Sequence, residues 1–231
     1  MIYGNKEGIR DSLLAKLETL YDIEIPAEVF APAELLDVLA VFTCAINREI
    51  SIYVSRSGEV LDITIGGVSS VELKDMHLRR NTKRLSMVRC IHTHPGGNPQ
   101  LSDVDISSLR AMRFDAMAAV GAKDGHATGI QAAFLGEYVG GMNRVHLTEV
   151  APVYKLPQRA WMDAIERADS EVLIGAPNTT KEDQERAFLV GLDSDESLLE
   201  LARLAETAGA QVIGTMLQRK TRPDTATYIG S

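Results

Sequence analysis

The segment from His92 to Asp105 constrains the fold of this chain more than any other part of the sequence. It opens with His-Thr-His-Pro, continues through a loop rich in proline and glycine, and ends with Ser-x-x-Asp before an apolar helical pattern. The apolar residues Met87, Val88, Cys90 and Ile91 predict a strand that runs directly into His92. Because side chains two residues apart on a strand share a face, His92 and His94 are expected to point to the same side.

A zinc centre is the chemistry that this arrangement favours. Asp105, in the first turn of the predicted helix at 102–114, supplies a third ligand beside the two imidazoles. Three protein ligands leave the fourth position of a zinc ion open to water, and the ion lowers the pKa of that water toward about 7. A carboxylate then has to accept and return a proton. The pattern therefore predicts a catalytic zinc centre held by His92, His94 and Asp105.

The Ser-x-x-Asp end of the segment also fits a structural interpretation. Ser102 at the N-cap, with Asp105 reaching back to it, would form a capping box, which starts helices without any metal. The sequence leaves both interpretations of Asp105 open. The whole combination is nevertheless rare, because five fixed residue types at about 5% usage each coincide at roughly 3 in 10 million starting positions.

Hydrophobic periodicity predicts a mixed α/β (α+β) fold around this segment. Helical spacing predicts helices over 6–20 and 33–46, and period-two alternation predicts a strand over 49–55 with one wetter face. A Ser-Gly turn and a second alternating run over 61–65 complete a β-hairpin. Further strands are expected over 115–121, 128–135 and 144–150, and a helix over 157–170. Strands and helices do not alternate regularly, which favours a mixed sheet flanked by helices.

A change in the pattern of apolar residues after residue 175 predicts a second domain. Residues 176–184 form a linker, and the continuous apolar run at 187–192 predicts a strand covered on both faces. A helix capped by Asp193 or Ser194 and a strand over 211–217 complete one βαβ unit. Two strands and one helix cannot cover both faces of a sheet, so the unit is incomplete. Either further chain completes it, or it docks on the first domain or on another chain, and self-association is one outcome that this predicts. The predicted domains therefore span 1–175 and 185–231.

The composition excludes several classes of protein. Hydrophobic residues at 45% and charged residues at 24% are typical of a globular protein rather than a disordered one. No apolar run approaches the roughly 20 residues of a membrane span, and the N-terminus has no secretory signal, so no membrane partner is expected. A net charge of −8 argues against a wholly basic nucleic-acid binder. Two cysteines, Cys44 and Cys90, are too few for a disulfide framework and indicate a reducing cytoplasm.

Two local basic clusters stand out against this acidic background. The first consists of Arg79, Arg80, Lys83, Arg84 and Arg89, and the second of Arg219, Lys220 and Arg222. A solvated loop or strand end is the ordinary interpretation of such runs, and contact with RNA or an acidic ligand is the alternative.

The segment from His92 to Asp105 resembles the JAMM (MPN-plus) metalloprotease motif, H-x-H-P followed by a spacer and S-x-x-D. Its six-residue spacer is similar to that of the RadC-like branch. The resemblance covers about residues 30–150 and implies a JAMM/MPN-like mixed sheet with zinc held by His92, His94 and Asp105. It also implies that the Ser102 hydroxyl steadies the oxyanion during hydrolysis of an amide or isopeptide bond in a peptide substrate.

The same resemblance implies a general base on an earlier strand. Glu49 opens the predicted strand at 49–55 and is followed by the expected hairpin, so we assign this role to Glu49. Glu59 at the turn and Glu72 in an irregular stretch are the alternatives. The other histidines have no partner at ligand spacing and are interpreted as structural or surface residues: His77, His126 and His146.

The C-terminal residues 185–231 resemble the beginning of the HflX family. The most telling strings are Ala-Glu-Thr-Ala-Gly, ending at Gly209, and the terminal Tyr-Ile-Gly-Ser. HflX proteins are cytoplasmic GTPases that associate with the large ribosomal subunit, so the resemblance implies that partner. The sequence contains no G-x-x-x-x-G-K-[ST] phosphate loop. GTP and magnesium are therefore expected only through a G domain that this chain lacks.

Together these patterns predict the N-terminal part of an HflX-type ribosome-associated GTP-binding protein that carries a JAMM-like zinc hydrolase domain. A non-catalytic ribosome- or protein-binding module and a stand-alone zinc metallopeptidase are the alternatives that the sequence leaves open.

Overall fold

A computed structural model describes residues 2–66, 84–174, 186–191, 194–207 and 211–217. The chain divides into two units, Met1–Ala176 and Pro177–Ser231. The predicted linker at 176–184, Glu72 and His77 lie outside the described residues. None of the described helices is long and apolar enough to cross a membrane.

A mixed seven-stranded sheet forms the centre of the first unit. Its strands are β1 (Ile2–Gly4), β2 (Ile50–Ser55), β3 (Val60–Ile65), β4 (Val88–Pro95), β5 (Ala116–Lys123), β6 (His126–Val139) and β7 (Met142–Leu147). They lie in the order β1-β3-β2-β4-β5-β6-β7. The pairs β1/β3 and β4/β5 are parallel and the others are antiparallel. This arrangement confirms the predicted mixed α/β class.

Four α-helices of the first unit pack on the two faces of this sheet or beside it. They are α1 (Asp11–Glu18), α2 (Ala33–Ile46), α3 (Asp103–Met112) and α4 (Gln158–Glu171). Thr43 of α2 hydrogen-bonds Thr93 of β4, whereas Asp105 of α3 contacts the adjacent His92. Because neighbouring residues of a strand point to opposite faces, α2 and α3 lie on opposite sides of the sheet. We call these sides the α2 face and the α3 face.

An aromatic cluster fills the core on the α2 face. Trp161 of α4 packs edge-on against Phe30 and Phe134, with ring centroids 4.9 and 6.4 Å apart respectively. Arg89 is buried beside them, with its guanidinium 5.8 Å from the Phe30 ring centroid, and it donates a hydrogen bond to the Val29 carbonyl oxygen. Its assignment to a surface basic cluster is therefore wrong, since it alternates onto the core face of β4. Arg79, Arg80 and Lys83 lie outside the described residues.

The wetter face predicted for the strand at 49–55 is also wrong. Ser51 and Tyr53 point to the α3 face, and both are fully buried. The Tyr53 ring lies 5.8 Å from that of Phe114, which follows α3 in the chain. Alternation identified the less apolar face of β2, but a helix and its following residues cover that face as well.

The second unit contains β8 (Arg186–Gly191), α5 (Asp195–Thr207) and β9 (Gln211–Leu217), with β8 and β9 parallel. This is the predicted βαβ unit, and Ser194 caps its helix by accepting a hydrogen bond from the Ser197 amide. Leu189 is buried, but Phe188 is 54% exposed, so the strand is not covered on both faces as predicted. Phe188 instead lies across Gly214, where a Cβ atom would come within 2.5 Å of its ring. A single helix covers only one face of a two-stranded sheet.

Replacing the aromatic ring at the centre of the α2 face tests this description of the core. Trp161→Ala is expected to lower the free energy of unfolding by about 3–5 kcal/mol, because a buried aromatic residue leaves a cavity when truncated. Urea unfolding followed by circular dichroism measures the change. Val41→Ala, at a half-exposed position of α2, is the control and should shift stability by less than about 0.5 kcal/mol. Similar losses in both variants would contradict the assigned core.

Candidate metal centre

One strand and one helix bring the predicted ligands together on the α3 face. His92 and His94 lie in the second half of β4 and share that face because they are two residues apart. The loop after Pro95 returns the chain to the first turn of α3, where Asp105 points back toward the strand. His92 is fully buried, and Asp105 is nearly so.

The three side chains approach one another at distances suited to a shared cation. The Nε2 atoms of His92 and His94 are 2.9 Å apart. His92 Nε2 lies 3.2 Å from Asp105 Oδ1, and His94 Nε2 lies 3.7 Å from Asp105 Oδ2. Zinc bonds of about 2.0–2.1 Å at a tetrahedral angle separate two ligand atoms by about 3.4 Å. The donor set and its spacing therefore fit a zinc ion.

The start of α3 is a complete capping box, so the two interpretations of Asp105 do not exclude each other. Asp105 Oδ2 accepts hydrogen bonds from the Ser102 amide and hydroxyl, each at 2.7 Å. The Ser102 hydroxyl in turn accepts one from the Asp105 amide at 3.3 Å. One carboxylate oxygen thus holds the helix start, while the other faces His92.

Hydrogen bonding also sets which nitrogen of His94 can bind a metal. His94 Nδ1 lies 3.1 Å from the carbonyl oxygen of Asn98, and a carbonyl can only accept. The proton of a neutral His94 is therefore on Nδ1, which leaves Nε2 free as a ligand. His92 Nδ1 is buried, and no residue in the described ranges hydrogen-bonds it.

The electrostatics of the centre keep Asp105 ionised. Burial by itself raises the pKa of this carboxyl, but the hydrogen bond and charge interaction with His92 and the hydrogen bonds from Ser102 outweigh burial. The pKa of Asp105 is consequently held well below its usual range. An ionised carboxylate is the form that coordinates a cation.

The predicted base, Glu49, immediately precedes β2 and is half-buried. In the β2/β4 ladder Ser51 pairs with His92, and Glu49 lies two residues before Ser51, just beyond the last pair of that ladder. Alternation along the strand puts Glu49 on the same α3 face as Ser51. Its backbone carbonyl accepts a hydrogen bond from the Gly66 amide, which holds the strand start in place. Glu59, the alternative, sits at the far end of the hairpin, bridged to Glu24.

A row of polar residues beside the centre was not anticipated from the sequence. The strand registers place Thr64, Ser51, His92 and Gln131 side by side across the α3 face, with Ala119 between the last two. Thr64, Ser51 and nearby Tyr53 are all buried, and the Tyr53 hydroxyl interacts with the hydroxyls of the other two. Burial raises the pKa of Tyr53, so it stays neutral. Period-two alternation identifies which of these residues share a face, but it does not show whether another element covers that face.

Gln131 is a positioning residue that the sequence also did not reveal. Its side-chain oxygen accepts a hydrogen bond from the Leu101 amide at 3.0 Å, and its nitrogen donates to the Thr148 carbonyl at 2.8 Å. It therefore fixes the residue just before Ser102 onto β6.

A second group of ligand-type side chains contradicts the prediction that His146 has no partner. His146, Glu137 and Glu171 bring one ligand atom each to within 4.8 Å of the others. The sequence spacing did not indicate this group because its members lie on three separate elements.

One protein family matches the C-terminal part of the chain. The family described as GTP-binding GTPase N-terminal matches residues 195–231, which include α5 and β9. These residues are thus similar to the N-terminal region of a GTP-binding protein. Comparisons with curated proteins and with solved structures found no match. The family match does not extend to the metal centre.

Removing the Ser102 hydroxyl tests whether the helix cap and the centre depend on the same carboxylate. Ser102→Ala is expected to lower the free energy of unfolding by about 1 kcal/mol through loss of the cap. It should also weaken zinc binding by about tenfold, because Asp105 loses a hydrogen bond that orients it. Chemical unfolding and competition with a chromogenic zinc chelator measure the two effects. Ser107→Ala, in the same helix, is the control. Unchanged zinc affinity in Ser102→Ala would show that the metal centre does not depend on the helix cap.

Proposed function

We propose that the first unit is a zinc-dependent hydrolase of amide or isopeptide bonds, as its JAMM-like motif implies. The supporting observation is the convergence of two imidazole nitrogens and one carboxylate on the α3 face, all within 4.8 Å. Three ligands of this type are those of catalytic rather than structural zinc sites, because one coordination position stays open. The ionised state of Asp105 is a further support.

The residues around this centre divide the chemistry between them. His92, His94 and Asp105 would hold the zinc ion, which supplies Lewis-acid activation of water when bound. Glu49, which lies just beyond the Ser51–His92 pair, takes the proton of the attacking water and passes it to the departing amine nitrogen. Ser102 donates a hydrogen bond to the developing oxyanion. To do so, its hydroxyl rotates away from Asp105 Oδ2, to which it donates in this structure.

A non-catalytic binding module is the second candidate for this unit. The observation that favours it is the engagement of the Ser102 hydroxyl, which donates to Asp105 and so faces its own helix start. In that case the centre would organise the loop before α3, and the unit would bind a protein or ribosomal partner without hydrolysis.

For the second unit, we infer the N-terminal region of an HflX-type, ribosome-associated GTP-binding protein. The family match at residues 195–231 supports the GTP-binding part of this proposal. The Ala-Glu-Thr-Ala-Gly string at the end of α5 supports the narrower HflX assignment. Because the sequence lacks a phosphate loop, GTP and magnesium would bind to a G domain and not to this chain.

Glu49→Gln tests the hydrolase directly. The zinc-loaded variant is expected to lose at least about a hundredfold in turnover, because the amide cannot accept the water proton. Fluorogenic peptide-amide and isopeptide substrates measure turnover, and atomic absorption measures zinc.

The zinc contents of matched variants distinguish the proposed base from the proposed metal ligands. Glu49→Gln should keep its zinc, His92→Ala should lose most of it, and His126→Ala should behave as wild type. Undiminished turnover in Glu49→Gln would remove that residue from the mechanism. Full zinc content in His92→Ala would reject the ligand set, and a zinc-loaded wild type without turnover would favour the binding module.

Ribosome association is tested with the basic cluster near the C-terminus. Co-sedimentation of the protein with large ribosomal subunits is expected, and Arg219→Glu with Lys220→Glu should weaken it about tenfold, since contacts with RNA phosphates are lost. The control carries the same charge change at exposed Lys16 and Lys155. Equal binding of both double variants would assign the contact to another surface, and no sedimentation of the wild type would refute the proposed partner.

A further inference from the structure

Three side chains on the α2 face form a cluster that the proposed hydrolase does not use. Glu137 belongs to β6, His146 to β7, and Glu171 is the last residue of α4. His146 pairs with Phe134, whose ring packs against Trp161 of α4, so the cluster lies on the side of the sheet opposite the His92 centre. Its location makes it independent of that centre.

A β-bulge aims Glu137 at this cluster. Leu135 pairs with Val145 and Tyr138 pairs with Asn143, so two residues of β6, Gly136 and Glu137, both oppose Arg144. In a regular ladder Glu137 would point to the α3 face, because it is three residues from Phe134. The extra residue turns it to the α2 face beside His146. Asn143 holds the bulge by donating a hydrogen bond to the Gly136 carbonyl oxygen at 2.8 Å.

The bulge glycine also makes room for the imidazole. A Cβ atom at position 136 would lie 2.4 Å from His146 Nε2 and 3.4 Å from Glu171 Oε2. The ring therefore rests directly against the backbone of Gly136, with Nε2 directed at the carboxylate. Any other residue at this position would push the ligand atoms apart.

The spacing of the cluster suits metal ligands better than hydrogen-bonded partners. His146 Nε2 and Glu171 Oε2 are 3.6 Å apart. That distance is too long for a hydrogen bond, but it is close to the separation of about 3.4 Å between two ligands of one tetrahedral zinc ion.

The negative charge at the end of α4 favours a bound cation. The last turn of α4 carries Asp169 and Glu171 and no basic residue, although carboxylates near a helix C-terminus face the negative end of its dipole. Asp169 pairs with Arg56, and Arg144 Nη1 bonds Glu137 Oε1 at 3.0 Å. Glu171 pairs with His146, which is positive only when protonated.

We propose that Glu137, His146 and Glu171 bind a divalent transition-metal ion as a second metal site. One imidazole nitrogen and two carboxylate oxygens favour zinc, with cobalt and nickel as alternatives, over the all-oxygen cations calcium and magnesium. The side chains are one-third to just over one-half exposed, so water completes the coordination. The ion displaces the exposed Arg144 from Glu137 and links the end of α4 to the β6–β7 hairpin.

The experiment uses zinc alone as the probe and a background without the first centre. Metal-stripped His94→Ala protein is titrated with Zn²⁺ by calorimetry, and the ring nitrogens of His146 are followed by ¹⁵N NMR. One equivalent of zinc should bind and shift the His146 ring resonances. Adding His146→Ala should abolish that equivalent, and adding Glu171→Gln should weaken it about tenfold or more. The ligands are partly exposed, so these variants should fold, as circular dichroism checks.

Adding His126→Ala to the same background is the matched control, since it removes an exposed histidine outside the cluster. Equal zinc binding with and without His146, or unshifted His146 resonances at saturating zinc, would overturn the proposal. Loss of binding on removing His126 would do the same. None of these outcomes depends on whether the His92 centre hydrolyses anything.

Discussion

The carboxylate of Asp105 is the interaction on which the described first unit depends most. One oxygen closes the capping box with Ser102, and the other faces His92 across 3.2 Å. The same carboxylate therefore holds both the start of α3 and the candidate metal centre, so neither can move without the other. Because α3 connects the parallel strands β4 and β5, the same carboxylate also fixes where that crossover begins.

The two faces of the sheet are built from different chemistry. The α2 face is an aromatic core around Trp161, into which Arg89 is drawn by the Phe30 ring and the Val29 carbonyl. The α3 face carries a row of polar side chains that runs from Thr64 through Ser51 and His92 to Gln131. The first three are buried. Polar side chains buried together in this way are typical of a face shaped for a site and not only for packing.

Much of this architecture was predictable because local patterns set it. The helix predicted over 102–114 is observed as Asp103–Met112, and the predicted hairpin is observed as β2 and β3. The candidate ligands His92, His94 and Asp105 were identifiable because one short segment carries all three. Errors arose where a local pattern was used to predict burial. Alternation predicted a solvent-facing Ser51, and a run of basic residues predicted a surface position for Arg89, although elements distant in sequence cover both. Glu49 as the base stays a prediction.

The sequence by itself determined the strand, loop and helix that carry the His-x-His and Ser-x-x-Asp residues, because those features follow from spacing within about a dozen residues. Only the tertiary structure decided which oxygen of Asp105 serves the cap and which faces the imidazole. It also decided that Glu137, His146 and Glu171 meet, because a bulge in one strand and the end of a remote helix set their directions. Strand register and helix packing are long-range properties, and no local pattern encodes them.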